Sequence, residues 1–574
     1  MAALDTRMHL KTIIDYNEVY GTPKDLSFAD SLIQGIPSST LLNFFSGINI
    51  KLYLNEVSGE AYNIQVQLLN NLIVPAGEET INTFKTVFQR HLDDGRLPVV
   101  FWQYSNLLFY ELIFRNYNSL PMRPYTNDEA KRMLDASLII NSVTSDRFKI
   151  TAEQVKEAAD KRESESILLP NFIYQKDYAS TTDFSNQFTR SLEFFKYLES
   201  SEKFKRYVQD YYKHLHVKDY KEIIYNLLTV FTQVGIHNPV YQRTQMIPLG
   251  NLLPLINIDF INTLSINDKI STYAPDNSFR TLRKHMLFHF DKHVFFLLDI
   301  NFLIDQLYKA QIFAFGEFIK ARGYKGNFLS VKGKEFMEDI YFRLIMERCF
   351  PHYIRKSGDE ARKSDGNEIC DYYLRKGNNI FLIEFKDILL NADLKEKSDK
   401  DLLYSEFEKK FFENQTKDPK GIQQLFNAAK YIENNSIPFD TLPATEKLNI
   451  YPIVIYTDLS FGYEGVNKIL KKKFRELLST ETFSKTEVND VTFINLNYFE
   501  IHEDYLKQDL IDLSKFIDEY HLHTQGEEYT TTPWEVFHRF YLKENVKSEL
   551  GNPSFMKEAI KQIIPAEFHD AVDV

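Results

Sequence analysis

Cysteine, glycine and proline are scarce in this sequence of 574 residues, which contains 2, 20 and 19 of them respectively. Two thiols, Cys349 and Cys370, are too few for a disulfide framework or a four-thiolate zinc site, so we expect a reducing compartment. With 44% hydrophobic residues and no long polar tract, the chain also lacks the composition of a disordered protein. The sequence therefore predicts a folded, cytoplasmic protein with a large core.

Long apolar runs and a leader pattern are also missing. Runs such as 294–300 are too short to cross about 30 Å of hydrocarbon, and the first residues show no basic segment followed by an apolar one. We expect neither membrane insertion nor secretion. The phosphate-loop pattern G-x-x-x-x-G-K-[ST] and the nucleophile pattern G-x-S-x-G are absent, so any nucleotide dependence would have to come from a partner chain.

The net charge of -12 excludes a protein that coats nucleic acid through an excess of positive charge. This charge is unevenly distributed. Residues 331–480 contain 25 Lys and Arg against 25 Asp and Glu, whereas the remainder contains 43 against 55. A local groove in the neutral segment could still bind nucleic acid on an acidic molecule.

The pattern of apolar and polar residues changes twice along the chain. Residues 1–325 contain aromatic-rich amphipathic stretches, such as 185–215 and 220–234, which predict a mostly helical region of one or two subdomains. Residues 326–480 follow the order helix, hairpin, helix, strand, which indicates an α/β domain with a mixed sheet. Residues 481–574 return to helical patterns. We therefore predict a multi-domain α plus α/β protein in three parts.

The segment EICDYYLRKGNNIFLIEFKD, at 368–387, is the most informative in the chain. Its second half is a strand-like apolar run broken by Glu384 and Lys386. Because side chains alternate between the faces of a strand, these two point the same way. A carboxylate and an ammonium on one face of an otherwise apolar strand need a partner, a solvent cleft or a metal ion.

A tight turn predicts the partner of this strand. Gly377 and Asn378 tolerate positive φ, and a two-residue turn centred on them pairs residues whose numbers sum to 755. In that register Asp371 lies directly opposite Glu384, with Cβ atoms about 5 Å apart and Lys386 beside them. Two such carboxylates repel each other unless a cation lies between them, and hard oxygen ligands suit Mg²⁺ or Mn²⁺.

This arrangement resembles the active site of the PD-(D/E)xK nuclease superfamily, which has the restriction-endonuclease-like fold. The resemblance covers about 331–460, a quarter of the chain. Asp371 matches the first acidic residue of the motif, Glu384 the second and Lys386 the lysine. The following helix, at 420–432, is similar to the family's next helix, and its glutamine would be Gln424 or, as an alternative, Gln423.

The helix before the hairpin resembles the one that often supplies an upstream glutamate, but the sequence departs from the usual pattern. Met337 stands where the acid is commonly found, which leaves Glu338 or Glu335, and we prefer Glu338. The resemblance implies that Asp371, Glu384 and the carbonyl of Phe385 bind the metal, with Glu338 contributing through water. It implies that Lys386 positions the attacking water or stabilises developing charge, and that Gln424 supports it.

The resemblance implies a Mg²⁺-dependent endonuclease that hydrolyses phosphodiester bonds. We expect DNA as the substrate, in bacterial restriction or anti-phage defence. The helical N-terminal region would recognise the substrate, sense a signal or dock a protein partner. A homodimer would allow two cuts in a duplex. Two alternatives stay open: a ribonuclease on the same core, and a non-catalytic helical scaffold or nucleic-acid-binding subunit whose nuclease-like domain is structural.

Two weaker patterns have both a functional and an ordinary interpretation. His285, His289 and His293 recur every four residues, which on a helix would align three imidazoles as a zinc site or as a polar face. Basic residues also cluster near the predicted core, where they could grip a phosphate backbone or form a solvated surface. These residues are Lys468, Lys471, Lys472, Lys473 and Arg475, and upstream of them Arg355, Lys356, Arg362 and Lys363.

Overall fold

The computed structural model describes residues 11–58, 61–147, 150–178, 183–234, 245–276, 278–413, 416–435, 437–443, 447–526, 529–545, 551–564, 566 and 569–570. The chain divides into two compact units. The first unit lies within 1–149, 178–187 and 202–315, and the second within 150–177, 188–201 and 316–574. The second unit thus runs past 480 and includes two earlier segments. That the chain folds as three independent domains with boundaries at 325 and 480 stays a prediction.

Helices dominate the residues before 322, as predicted. They are α1 (Tyr16–Tyr20), α2 (Leu26–Ile33), α3 (Ser38–Ser58), α4 (Ala61–Ile73), α5 (Glu78–Asp93), α6 (Gln103–Arg115), α7 (Asn127–Arg147), α8 (Ala152–Lys161), α9 (Glu165–Phe172), α10 (Phe184–Ser200), α11 (Lys205–His214), α12 (Tyr220–Gln233), α13 (Ile258–Thr263), α14 (Arg280–Lys284), α15 (Ile300–Asp305) and α16 (Lys309–Ala321).

The helix α12 illustrates why these stretches fold as they do. Asp219 caps its N-terminus by accepting a hydrogen bond from the backbone N–H of Glu222. Apolar residues three and four positions apart, including Ile223 and Leu227, form one buried face. The helical prediction for 220–234 is confirmed, and the stretch 185–215 forms the two helices α10 and α11.

Short strands interrupt the helices of the first unit. The strands β1 (Lys11–Ile13) and β2 (Leu97–Val99) pair in parallel. The strands β3 (Met246–Pro248), β4 (Leu287–Asp291) and β5 (Val294–Leu297) form an antiparallel sheet in the order β3-β5-β4.

The histidine pattern was wrongly assigned to a helix, because β4 and β5 form a hairpin there. His289 lies on β4, whereas His285 precedes the strand and His293 lies in the turn. Cross-strand ring contacts explain the outcome: the centroids of Phe290 and Phe296 lie 4.8 Å apart, and aromatic residues favour strands. The three imidazoles therefore share no helical face.

The second unit is built on a six-stranded mixed sheet. Its strands are β6 (Ile354–Ser357), β7 (Tyr372–Lys376), β8 (Asn379–Lys386), β9 (Leu448–Tyr456), β10 (Thr486–Val488) and β11 (Thr492–Asn495). Neighbours run antiparallel from β6 through β7 to β8, and β9 is parallel to β8. Both β10 and β11 pair in parallel with the free edge of β9. A helical part combined with an α/β part is therefore observed, as predicted.

The helices of the second unit after α16 surround this sheet. They are α17 (Phe328–Val331), a π-helical segment (Lys332–Phe342), α18 (Arg343–Cys349), α19 (Ala392–Glu396), α20 (Lys400–Phe411), α21 (Ile422–Asn434), α22 (Val466–Leu478), α23 (Leu496–Ile501), α24 (Glu503–Lys507), α25 (Leu513–His523), α26 (Trp534–Asn545) and α27 (Ser554–Lys561). The part after 480, predicted as mostly helical, also supplies the last two strands of the sheet.

The core of the second unit lies between the sheet and α20, α21 and α22. Ile380 and Leu382 of β8 are fully buried there together with Leu425 of α21. On the opposite face of β8, Phe385 stacks on Phe342 of the π-helical segment, with ring centroids 4.5 Å apart. Even-numbered residues of β8 therefore face α21.

Candidate active site

The hairpin of β7 and β8 brings the predicted carboxylates together. Its register pairs Lys376 with Asn379 and Tyr372 with Ile383, so every observed pair sums to 755, as predicted from the turn. One step beyond the last pair, Asp371 accepts a hydrogen bond through Oδ2 from the backbone N–H of Phe385, at 2.7 Å. This bond fixes the Asp371 carboxylate at the end of β8 where Glu384 and Lys386 lie.

The ammonium group of Lys386 lies between the two carboxylates. Its Nζ is 2.9 Å from Oε2 of Glu384 and 3.8 Å from Oδ2 of Asp371. The side chain of Glu384 is 1% exposed, whereas those of Asp371 and Lys386 are 14% and 15% exposed. The three side chains thus meet at a largely buried point, where Asp371 and Lys386 keep slight exposure to solvent.

Burial and mutual repulsion control the protonation of this cluster. Burial, and then the charge of Asp371, raises the pKa of Glu384 to about 8. Burial opposes the charge of Lys386, but Glu384 and Asp371 outweigh it and raise the pKa of that ammonium. Lys386 therefore stays charged at neutral pH, and without a further cation Glu384 retains a proton.

A glycine places Gln424 against the lysine. Gln424 Oε1 lies 3.4 Å from Lys386 Nζ and also accepts the backbone N–H of Gly421, at 2.8 Å. Gly421 has φ +44°, and a Cβ built on it would lie 2.9 Å from the carbonyl oxygen of Phe411. Only glycine fits this position without strain. The structure brings Gln424 to the lysine, and no contact places the alternative Gln423 there.

The π-helical segment separates the two candidates for the upstream acid. Burial, and next the charge of Asp371, raises the pKa of Glu338 to about 7, which places Glu338 within electrostatic reach of the site. Lys334 forms an ion pair with Glu338 at its outer side. Glu335 instead accepts a hydrogen bond from the hydroxyl of Tyr197 at 3.0 Å. The preference for Glu338 as the upstream acid stays a prediction.

The donor set fits a small divalent cation. Asp371 and Glu384 offer hard carboxylate oxygens at a buried point where a second positive charge would relieve their repulsion. Among the described residues, no three His, Cys, Asp or Glu side chains are placed to hold one ion together. An ion here would accordingly use the two carboxylates, the carbonyl of Phe385 and water. The Phe385 carbonyl stays a predicted ligand.

A second ion pair beside the site was not anticipated from the sequence. Lys332 of the π-helical segment lies 2.5 Å from Asp387, and both side chains are largely buried. Thr457 donates to the other oxygen of Asp387 at 2.9 Å. Asp387 directly follows Lys386 in the motif, but nothing local signals its partner 55 residues earlier. These contacts tie the segment that carries Glu338 to the ends of β8 and β9.

The basic residues are largely engaged within the second unit. Lys471 is 6% exposed and donates to Thr524, so it lies too deep to meet a phosphate backbone. Arg355 donates to the backbone carbonyl of Glu347 at 2.7 Å. The other pairs are Lys468 with Glu165, Lys473 with Glu408, Arg475 with Asp490, Lys356 with Glu360, and Arg362 with Asp359. This favours the ordinary interpretation of both clusters over a phosphate grip.

No family model, no curated protein and no solved structure matched the chain in the three comparisons. Within the described part of the chain, no helix has both the length and the apolar character needed to span a membrane. The fold and the site define a protein with an α/β sheet and a buried cluster of two carboxylates, a lysine and a glutamine.

Proposed function

We propose that this protein is a Mg²⁺-dependent nuclease with a PD-(D/E)xK type of active site. The observation that carries the proposal is the convergence of Asp371, Glu384 and Lys386 at one point, with Gln424 beside the lysine. The antiparallel hairpin, the parallel strand β9 and the helix α21 between them in sequence support a restriction-endonuclease-like core. Function is inferred from the site, since a fold alone would not establish it.

Each residue has a chemical task in this proposal. Asp371 and Glu384 hold the ion, which when bound polarises the scissile phosphate and lowers the pKa of an attacking water. Lys386 positions that water and stabilises charge on the phosphoryl oxygens through its compact ammonium. Gln424 holds the Lys386 ammonium in place through its carbonyl oxygen. Glu338, on the π-helical segment, would contribute to holding the ion through a water molecule.

We propose DNA as the substrate and restriction or anti-phage defence as the setting. A protein partner would dock on the helical region at 1–325. The cytoplasmic location and a homodimer stay predictions. A non-catalytic scaffold or nucleic-acid-binding subunit is the second candidate. The internal ion pairs of the basic run favour the scaffold form of this candidate, because they leave fewer cations for contacts with a phosphate backbone.

Cleavage of supercoiled plasmid and of labelled RNA in Mg²⁺ or Mn²⁺ tests these alternatives. Asp371→Asn should abolish cleavage, whereas Asp401→Asn, an exposed carboxylate on α20, should leave it unchanged. Cleavage of RNA alone would favour the ribonuclease. If wild type and Asp371→Asn cleave neither substrate, the scaffold is favoured. If the two proteins cleave equally well, the assignment of Asp371 to the active site fails.

A further inference from the structure

Two short helical turns in the second unit carry polar rings that lack hydrogen-bond partners. Tyr498 lies on α23 and His502 follows four residues later, at the end of that helix. On α26, Trp534 and His538 have the same spacing. Residues four apart lie on the same face of a helix, so the two rings of each turn are neighbours on one face.

The rings of Tyr498, His502 and His538 form a compact triangle. The centroid of Tyr498 lies 5.0 Å from that of His502 and 5.3 Å from that of His538, and the two imidazole centroids are 5.4 Å apart. The hydroxyl of Tyr498, both nitrogens of His502 and Nδ1 of His538 are buried and have no hydrogen-bond partner among the described residues. Buried polar atoms in folded proteins are nearly always hydrogen-bonded, so four in one place form a polar site that can take a ligand.

We propose that His502, His538 and Tyr498 form a binding site for a divalent transition-metal ion of the Zn²⁺ type. Two imidazoles bound to one tetrahedral ion at about 2.0–2.1 Å would have centroids about 5 Å apart, which matches the observed separation. The third donor is a phenol oxygen, so the set is distinct from a cluster of three His, Cys, Asp or Glu side chains. Water completes the coordination.

The chemistry of these donors separates this site from the carboxylate pair. Imidazole nitrogen selects Zn²⁺, Co²⁺ or Ni²⁺, whereas paired carboxylates select Mg²⁺ or Mn²⁺. A neutral imidazole keeps a lone pair on one of its ring nitrogens, which is the atom that binds a metal. Both histidines are only partly buried as whole residues, which leaves the site close to the surface.

Titration of the full chain with Co²⁺ in saturating Mg²⁺ tests the proposal, since Mg²⁺ then occupies the carboxylate site. We expect one equivalent of Co²⁺ with visible absorption bands of a nitrogen-ligated ion, displaced by Zn²⁺. His502→Phe and His538→Phe should abolish the signal, and Tyr498→Phe should weaken the affinity at least about tenfold. His352→Ala, an exposed histidine in the same unit, should leave it unchanged.

Tyr498→Phe also serves as a folding control, because it removes only a hydroxyl that has no hydrogen-bond partner among the described residues. Zn²⁺ should raise the melting temperature of wild type, and should raise that of Tyr498→Phe less at equal concentration. Wild type that takes up no Co²⁺ would overturn the proposal. So would unchanged affinity in the folded Tyr498→Phe variant or in either histidine variant.

Discussion

Two hairpins of the molecule differ in whether they bring their polar residues together. They are β7–β8 in the second unit and β4–β5 in the first. The β7–β8 hairpin has an unbroken register through the turn at Gly377, and its end gathers two carboxylates and a lysine. The register of β4–β5 shifts between His289 and Asp291. Of these two hairpins, only the one with a continuous register brings its polar residues together.

The histidines of the β4–β5 segment are dispersed into separate contacts. His285 bonds through Nδ1 to the carbonyl of Thr263 at 2.9 Å. His289 stacks on Phe295 with ring centroids 4.5 Å apart, and His293 lies in the turn. A spacing of four residues means a shared face only while the chain stays helical. The spacing of polar residues therefore predicts a site only when the secondary structure of the segment is also known.

The largest expected effect is on the site hairpin. Lys386→Met removes the ammonium that would stabilise developing charge, and we expect cleavage to fall by about 10²–10³-fold. Mn²⁺ binding should persist because both carboxylates remain. Measured cleavage rates check this, with His289→Leu in the other hairpin as the control that keeps full activity. Equal losses of cleavage activity in both variants would contradict the assignment of the active site to the β7–β8 hairpin.

The next effect tests how the site hairpin depends on a helix outside it. Gly421→Ala should lower the free energy of unfolding by about 2–3 kcal/mol, because it combines positive φ with overlap against the carbonyl of Phe411. Gly377→Ala is the matched control, since Gly377 has φ +59° but open space around it and should cost only about 1 kcal/mol. Denaturant unfolding measures both. Equal costs would show that overlap at Gly421 is unimportant.

A third prediction concerns pH in the absence of divalent ions. The pKa of Glu384 is about 8 in the folded protein, above its value of about 4.3 in an unfolded chain. The folded state therefore binds this proton more tightly, and the resulting stability, present below about pH 4, is lost as the pH rises towards 8. Glu384→Gln should remove most of this pH dependence, which for a pKa change of this size is at most about 5 kcal/mol. Unfolding curves of both proteins that decline in parallel would contradict the buried acid.

The smallest effect should be in the β4–β5 hairpin. His289→Leu keeps an apolar contact with Phe295 and should change the free energy of unfolding by less than about 0.5 kcal/mol. Metal uptake should also stay unchanged, because the three histidines hold no common site. Thermal unfolding with and without Zn²⁺ checks both statements. Loss of a Zn²⁺-dependent stabilisation in this variant would restore the zinc interpretation of this segment.

Local chemistry explains what could be predicted. The turn at Gly377 and Asn378 fixes a register, and the register alone places Asp371 opposite Glu384. The amphipathic pattern of 422–434 places Gln424 one turn into its helix. Each of these inferences needs only residues that are neighbours in sequence or across one turn.

What could not be predicted depends on contacts between distant parts of the chain. The ion pair of Lys332 with Asp387 and the hydrogen bond of Tyr197 with Glu335 join residues far apart in sequence. The strands β10 and β11 have only 3 and 4 residues, too few for a periodic signal. The internal pairing of the basic run likewise depends on carboxylates supplied by other elements.

Titration of the full chain with Mn²⁺, followed by calorimetry, tests the central claim most directly, that Asp371 and Glu384 form a cation site. We expect wild type to bind Mn²⁺ in competition with Mg²⁺, and Asp371→Asn combined with Glu384→Gln to lose at least about 100-fold in affinity. His289→Leu should bind as wild type does. Equal Mn²⁺ affinity in wild type and in the folded double variant would contradict the account.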